Sequence, residues 1–202
     1  MLELASHTPS PTPPPVSKAA AEADTRNAMV ALMPTLRAFA RSLCPNAAQA
    51  DDLVQDALVK ALSNIDKFEQ GSNLRAWMFT ILRNTYYSDL RKRRREVEDA
   101  EGAHAAKLAE RPAQPGASDL EDFKSAFAQL SEDHREVLTL IGALGISYEE
   151  AADVCGCAVG TVKSRVNRAR ARLAELLGLS PEEAAGQDGV GLLPEGLIPG
   201  QL

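Results

Sequence analysis

Aromatic residues make up only 4% of this 202-residue chain, one Trp, three Tyr and five Phe, too few for a large aromatic core. Long runs of alternating β-branched residues are absent, which argues against sheets. Cysteine is scarce too: Cys44, Cys155 and Cys157 form an odd set without paired CxxC spacing. With only His134 nearby to complete a ligand set, they do not make a zinc site, and no metal centre is expected. No apolar run could span a bilayer, and the amino terminus lacks the basic start and apolar centre of a signal peptide, so a cytoplasmic protein without a membrane partner is expected. Excess positive charge is also missing. The net charge is −6, which disfavours a protein that coats nucleic acid by bulk electrostatics. P-loop and dinucleotide fingerprints are absent, and His7, His104 and His134 stand apart from any nucleophile or carboxylate spacing that would suggest a triad. The chain therefore reads as a non-enzyme that needs no cofactor.

Alanine and leucine are abundant, and their spacing is helical, so the expected fold class is all-α. The most informative stretch is SYEEAADVCGCAVGTVKSRVNRARARL, Ser147 to Leu173. Ser147 with Glu150 three residues later is a capping box, and Tyr148, Ala151, Ala152 and Val154 fill the short helix behind it. Gly156 stops that helix. A small Ala152, then Gly156, then Val162 is helix-turn-helix spacing: alanine lets two helices approach, and glycine relieves the backbone at the turn.

The second helix has an apolar stripe at Val162, Val166, Ala169, Leu173 and Leu176. Its other face carries Lys163, Ser164, Asn167, Arg168 and Ala171, flanked by Arg165, Arg170 and Arg172. A merely solvated face usually interleaves acids with bases, but none occurs here between Asp153 and Glu175. Donors of this kind reach phosphates and major-groove base edges.

The remainder falls into segments. Residues 1–26, rich in Pro, Ser, Thr and Ala, read as a disordered tail. From about Asn27 to Leu43 one helix is expected, with Val30, Leu32, Met33, Leu36, Phe39, Ala40 and Leu43 inside and Pro34 either in its first turn or kinking it. A second helix, from about Ala48 to Asn64, turns Leu53, Val54, Ala57, Leu58, Ala61 and Leu62 inward and Asp51, Asp52, Gln55, Asp56 and Lys60 outward, an acidic face. After a turn from Phe68 to Asn73, a third helix runs from Leu74 to about Arg95, with Trp77 in its apolar stripe and RKRRR at its end. One or two cations suit a helix carboxyl end, and a solvated end remains a reading of all five. Next to Asn84, Thr85, Tyr86 and Tyr87, they also suit single-stranded DNA, whose bases stack on aromatic faces while cations follow the backbone. Residues 96–118 are acidic and aperiodic, with Pro112, Pro115 and Gly116, and read as a flexible linker. Helices resume near Asp119, Ser131 caps another, and residues 179–202 form a second tail, either disordered or a short docking segment through Leu192, Leu193, Leu197 and Ile198.

In this order, DDLVQDALVKAL, FEQGSNLRAWMFTILRN and HREVLTLIGALGISYEEAADVCGCAVGTVKSRVNRARARL closely resemble the bacterial extracytoplasmic-function (group 4) RNA polymerase sigma factors, most like the EcfG-type general-stress subgroup. The resemblance spans about Asn27 to Leu177. It implies two small helical domains: sigma region 2 at 27–95, which docks on polymerase and reads the −10 element, and sigma region 4 at 119–178, which reads the −35 element. By the same resemblance, Asp51, Asp52, Gln55 and Asp56 meet the β′ clamp helices of core RNA polymerase, and region 4 meets the β flap. Asn84 receives a flipped base, with Phe68, Ser72, Asn73, Tyr87, Arg91 and Lys92 about the −10 site. Gly160, Thr161, Lys163, Ser164, Asn167, Arg168 and Arg170 serve the −35 element; at Asn167 other members carry bulkier residues. Promoter DNA and an anti-sigma factor, NepR-like for this subgroup, are the implied partners, and stress-response genes the implied targets. A sigma-like decoy would share these helices but is usually joined to a receiver domain. A dimeric helix-turn-helix repressor would need neither the acidic helix nor Asn84 nor RKRRR.

Overall fold

A computed structural model describes residues 18–44, 46–100 and 119–179. Most of the expected tails and of the expected linker lies outside these residues. Among the described residues the fold is all-α, in two helical units. The first holds α1 (Lys18–Ala31), α2 (Met33–Leu43), α3 (Ala47–Ser63) and α4 (Leu74–Ala100); the second holds α5 (Asp119–Ala128), α6 (Glu132–Leu138), α7 (Tyr148–Cys155) and α8 (Val159–Leu177).

The helix expected from Asn27 to Leu43 is instead two helices, and the first already begins at Lys18. Its start, KAAAEA, is rich in alanine, the best helix former, which extends the helix into the expected tail. Pro34 sits in the first turn of α2, where its missing N–H costs nothing. The break also reassigns the apolar face: Met29 is buried while Val30 is 68% exposed, contrary to the expectation that Val30 packs inward. Thr25 ties α1 to the turn before α4, its Oγ1 accepting from Gln70 Nε2 at 3.1 Å.

α3 is capped by Asn46, whose side chain accepts from Gln49 N–H at 2.9 Å. It buries Ala50, Leu53, Val54, Ala57 and Ala61 against α2 and α4. Leu62, expected inside, is 47% exposed because this stripe is narrow, and Val59 at 63% joins it on the outer side. Across the core Phe39 of α2 meets Phe79 of α4 edge to face, with ring centroids 5.2 Å apart. Trp77 is half-buried, leaning on Phe68 at 5.2 Å. α4 continues to Ala100, beyond the expected end at Arg95.

In the second unit, Ser131 caps α6, its side chain accepting from His134 N–H. A π-helical turn, Thr139–Ala143, follows α6, and Gly145 at φ +61° bends the chain toward α7. Both halves of the Ser147–Glu150 capping box are formed. Gly156 adopts φ +63°, the left-handed conformation in which a helix stops and glycine is unstrained. α8 packs on α5, α6 and α7. The apolar core runs without interruption from one unit into the other, with α2 against α6 and α4 against α7.

Candidate nucleic-acid interface

The outward face of α8 follows from what its inward face buries. Val162, Val166, Ala169 and Leu173 are each at most 1% exposed, which fixes the helix rotation and leaves Lys163, Asn167 and Arg168 in solvent. Ser164 is half-buried; its Oγ accepts from Arg168 Nη2 at 2.8 Å, which holds that guanidinium along the helix. The Lys163 ammonium lies 5.8 Å from the ring centroid of Tyr148, a cation–π distance that steers it across the groove between α7 and α8. Gly160 is exposed, while Thr161 and Arg170 are half-buried at the edges of the same face. Arg165 belongs to a different arrangement, turned back to Asp133 of α6 at 3.0 Å.

The second cationic surface is on α4. Asn84, Arg91 and Lys92 are exposed, and Lys92 pairs loosely with Glu96 at 3.9 Å. Arg83, Asn84, Tyr87, Leu90, Arg91 and Arg94, together with Glu132 of α6, line a cavity of about 320 Å³. Guanidinium groups to hold phosphate, an amide to read a base edge and an aromatic face to stack on it therefore share one hollow. The Arg83 guanidinium lies 4.7 Å from the Tyr87 ring centroid. Burial, with the Glu136 carboxylate beside it, pushes the Tyr87 phenol well above its usual value, so it remains a neutral donor. Ser72 is exposed and its hydroxyl closes the turn by donating to Glu69 C=O at 2.6 Å. Asn73 caps α4 through Ala76 N–H at 3.0 Å. Phe68, expected beside the base pocket, is 8% exposed, its ring taken by Trp77.

The third surface is the acidic side of α3. Asp52, Gln55 and Asp56 are exposed, and Asp51 stands beside Arg37 of α2 at 3.5 Å. Val59 and Leu62 lengthen this surface with exposed apolar side chains that were expected elsewhere or not singled out.

The contacts between the units were not legible in the sequence. Arg83 Nε donates to Glu136 Oε1 at 2.5 Å; Glu136 is fully buried and Arg83 only 18% exposed. The Tyr87 hydroxyl lies 3.4 Å from both Asp133 and Glu136. Arg75 donates to Leu144 C=O, Asn73 donates to Glu150, and Arg135 Nε donates to Ser42 C=O at 3.0 Å. Glu136, between Arg135 and Val137, carries no local signal of burial; only its partner across the interface accounts for it.

The Sigma-70 region 2 model matches residues 29–96, and the Sigma-70, region 4 model matches residues 120–173. The chain is 56% identical over 163 residues to the "ECF RNA polymerase sigma factor EcfG" of Rhodopseudomonas palustris (strain TIE-1), covering 81% of this chain and 90% of that one. The chain belongs to the extracytoplasmic-function RNA polymerase sigma factors. The "ECF RNA polymerase sigma factor SigC" of Mycobacterium tuberculosis (strain CDC 1551 / Oshkosh) is 39% identical over 139 residues, 68% of this sigma factor and 74% of that one. A solved structure of the sigma factor RpoE in complex with the anti-sigma factor NepR from Bartonella quintana superposes with a TM-score of 0.67 at 55% identity, covering 78% of this chain and 98% of that one. The region 2 match thus takes in the end of α1, α2, α3 and most of α4, and the region 4 match takes in α5 to α7 and most of α8. Among the described residues no helix is long and apolar enough to cross a membrane.

Proposed function

We propose that this sigma factor docks on core polymerase through Asp51, Asp52, Gln55 and Asp56, captures an unpaired −10 base with Asn84, and reads the −35 element with Lys163, Ser164, Asn167 and Arg168. The observation that carries this reading is the rotation of α8: Val162, Val166, Ala169 and Leu173 are buried, which turns Lys163, Asn167 and Arg168 outward. Tyr87, Arg91 and Lys92, with Ser72 and Asn73, would line the path of the displaced strand, and Gly160, Thr161 and Arg170 would stand close to the −35 backbone. A net charge of −6 fits a protein that holds promoter DNA weakly alone and firmly once polymerase supplies the remaining contacts. Unstacking a base costs a few kcal/mol, which capture in the α4 cavity offsets.

Its regulator, on this reading, is a NepR-like anti-sigma factor, and its targets are stress-response genes; the likeness to EcfG and to the RpoE–NepR complex supports both. The test is reconstitution. Core polymerase supplemented with this chain should start transcription from a defined subset of a pooled set of promoter fragments, and a purified NepR-type protein should suppress it. Failure to bind core polymerase would overturn the reading.

A further inference from the structure

Among the described side chains of α1, Thr25 and Met29 are the buried ones, one turn apart, and the first of them is polar. The Thr25 hydroxyl donates to Ala21 C=O at 2.8 Å, the ordinary back-bond of a helix threonine, and accepts from Gln70 Nε2 at 3.1 Å, across 45 residues. Gln70 Oε1 also lies 3.4 Å away, but a hydroxyl has one proton and the shorter bond to Ala21 takes it. Gln70 stands in the turn from Phe68 to Asn73, whose two ends are anchored: Phe68 is buried on Trp77, and Asn73 caps α4. Between them Glu69, Gln70, Gly71 and Ser72 are exposed, and Gly71, at φ +88°, faces open space. Ser72 bonds back to Glu69, within the turn. Among the described residues, Gln70 is the one member of this apex bonded outside the turn, so Thr25 rather than burial fixes its place.

We propose that Thr25 is a positioning residue for promoter selection: through Gln70 its hydroxyl holds the Phe68–Asn73 turn in one conformation, and so sets how sharply the first unit discriminates among −10 bases without itself touching DNA. This rests on the −10 reading above, in which Phe68, Ser72 and Asn73 lie about the base site. Discrimination by hydrogen bonds needs donors and acceptors that are fixed before the base arrives, because a loose turn re-forms around a wrong base and leaves none of its polar groups unpaired. Gly71 is the point of freedom here: without a Cβ it has more backbone conformations open to it than any other residue in the turn. A bond at its neighbour Gln70 removes that freedom when the chain folds rather than when DNA binds. The small buried face of α1 then has a use beyond closing the core, since it places one buried acceptor against the apex of the turn.

The test uses the full chain with core polymerase and a pool of promoter templates whose −10 element is randomised behind the −35 element that wild type prefers. Thr25→Val removes the hydroxyl and keeps the branched shape, Thr25→Ser keeps the hydroxyl, and Gln70→Ala removes the donor. Thr25→Val should flatten the base preference at one or more −10 positions by about twofold to tenfold, the range that one net hydrogen bond spans, with helicity and binding to core polymerase unchanged. Thr25→Ser should keep the wild-type preference, and Thr25→Val combined with Gln70→Ala should be no flatter than either alone, as two halves of one bond require. Amide hydrogen exchange at Gln70, Gly71 and Ser72 in the free protein reads the tie without DNA, and should quicken in Thr25→Val but not in Thr25→Ser. Wild-type preference in Thr25→Val overturns the proposal, and so does an equal fall in transcription from every template, the mark of a purely structural threonine. If Thr25→Val loses helicity, Gln70→Ala, on the exposed apex, carries the test, and undiminished preference there overturns it. Unchanged exchange with −10 selection intact overturns the tie and leaves the promoter reading standing. Quickened exchange in a protein whose wild type starts from no template removes the promoter reading, and the selectivity built on it, and leaves only the tie.

Discussion

The side-chain amide of Asn73, at the head of α4, donates to a carboxylate oxygen of Glu150, whose other oxygen accepts from the Ser147 N–H that begins the helix-turn-helix at 3.0 Å. One glutamate thus completes the cap of α7 and joins it to the helix assigned to the −10 strand. The hydrogen bonds from Ser147 hold the Glu150 carboxyl below its ordinary value of 4.5.

The cap gives the first prediction. Ser147→Ala removes the acceptor for Glu150 N–H, and losses of this kind cost about 0.5–2 kcal/mol. Thermal melting of the two proteins should show it at neutral pH. Because the Glu150 carboxyl is depressed in the fold, its contribution is present above 4.5 and is lost as pH falls through its lower folded value. The difference between Glu150→Gln and wild type should therefore shrink in strong acid; a constant difference would mean that the carboxylate charge plays no part.

Glu136 gives the second, of opposite sign. Burial pushes its carboxyl up, and the adjacent Arg83 only partly pulls it back, with Asp133 raising it and Arg165 lowering it further. A group raised in the fold contributes stability that is complete below its ordinary value of 4.5 and declines as pH rises through the folded value. Stability from this group should thus fall on the side above 4.5, whereas that from Glu150 falls below it. Denaturant titrations across that range should show a flatter profile for Glu136→Gln; an identical profile would mean Glu136 titrates as it does in the unfolded chain.

These two carboxylates mark the limit of what the sequence disclosed. Ser147, Glu150 and Gly156 were legible because a cap and a left-handed stop are local, set by residues a few positions apart. The rotation of α8 was legible because Val162, Val166, Ala169 and Leu173 repeat with the helical period. Glu136 was not, since its partner Arg83 lies 53 residues away and only the packing of the two units brings them together. Periodicity likewise misplaced Val30 and Leu62, because it fixes a helix face but not how wide a stripe the neighbouring helices cover. Lys18 began a helix that composition had assigned to the tail, where alanine propensity outweighed the nearby prolines.

The third prediction concerns Asn84, exposed at the rim of the α4 cavity. Its amide can pair with an extruded base edge, and alanine cannot. Asn84→Ala should leave binding to core polymerase intact and reduce the permanganate reactivity of unpaired thymines at the −10 region. Equal reactivity in both proteins would make Asn84 a solvated surface residue.

The fourth concerns α8. Lys163 and Arg168 both stand free of the core, so alanine at either position should leave melting nearly unchanged. Use of a −35-dependent promoter should weaken by about 1–3 kcal/mol for a base contact and less for a phosphate contact. A change in the salt dependence of binding would identify the phosphate case. Unaltered transcription with both single variants would remove this face from the reading role.

The last prediction concerns α3, where the carboxylates of Asp52 and Asp56 are exposed beside Val59 and Leu62, while the opposite side is closed by Leu53, Val54 and Ala57. A surface acid that only faces water tolerates substitution, typically within about 0.5 kcal/mol of folding stability. An acid that meets a basic partner does not tolerate reversal in the complex, because like charges are then pressed together where both lose water. Asp52→Lys with Asp56→Lys should preserve helicity and melting, yet sharply weaken binding to core polymerase. Asp51, already beside Arg37 at 3.5 Å, should matter less when reversed alone, since its charge is shared within the chain. Equal binding by wild type and the double reversal would show that polymerase is met elsewhere, and the exposed Val59 and Leu62 would then need a different partner.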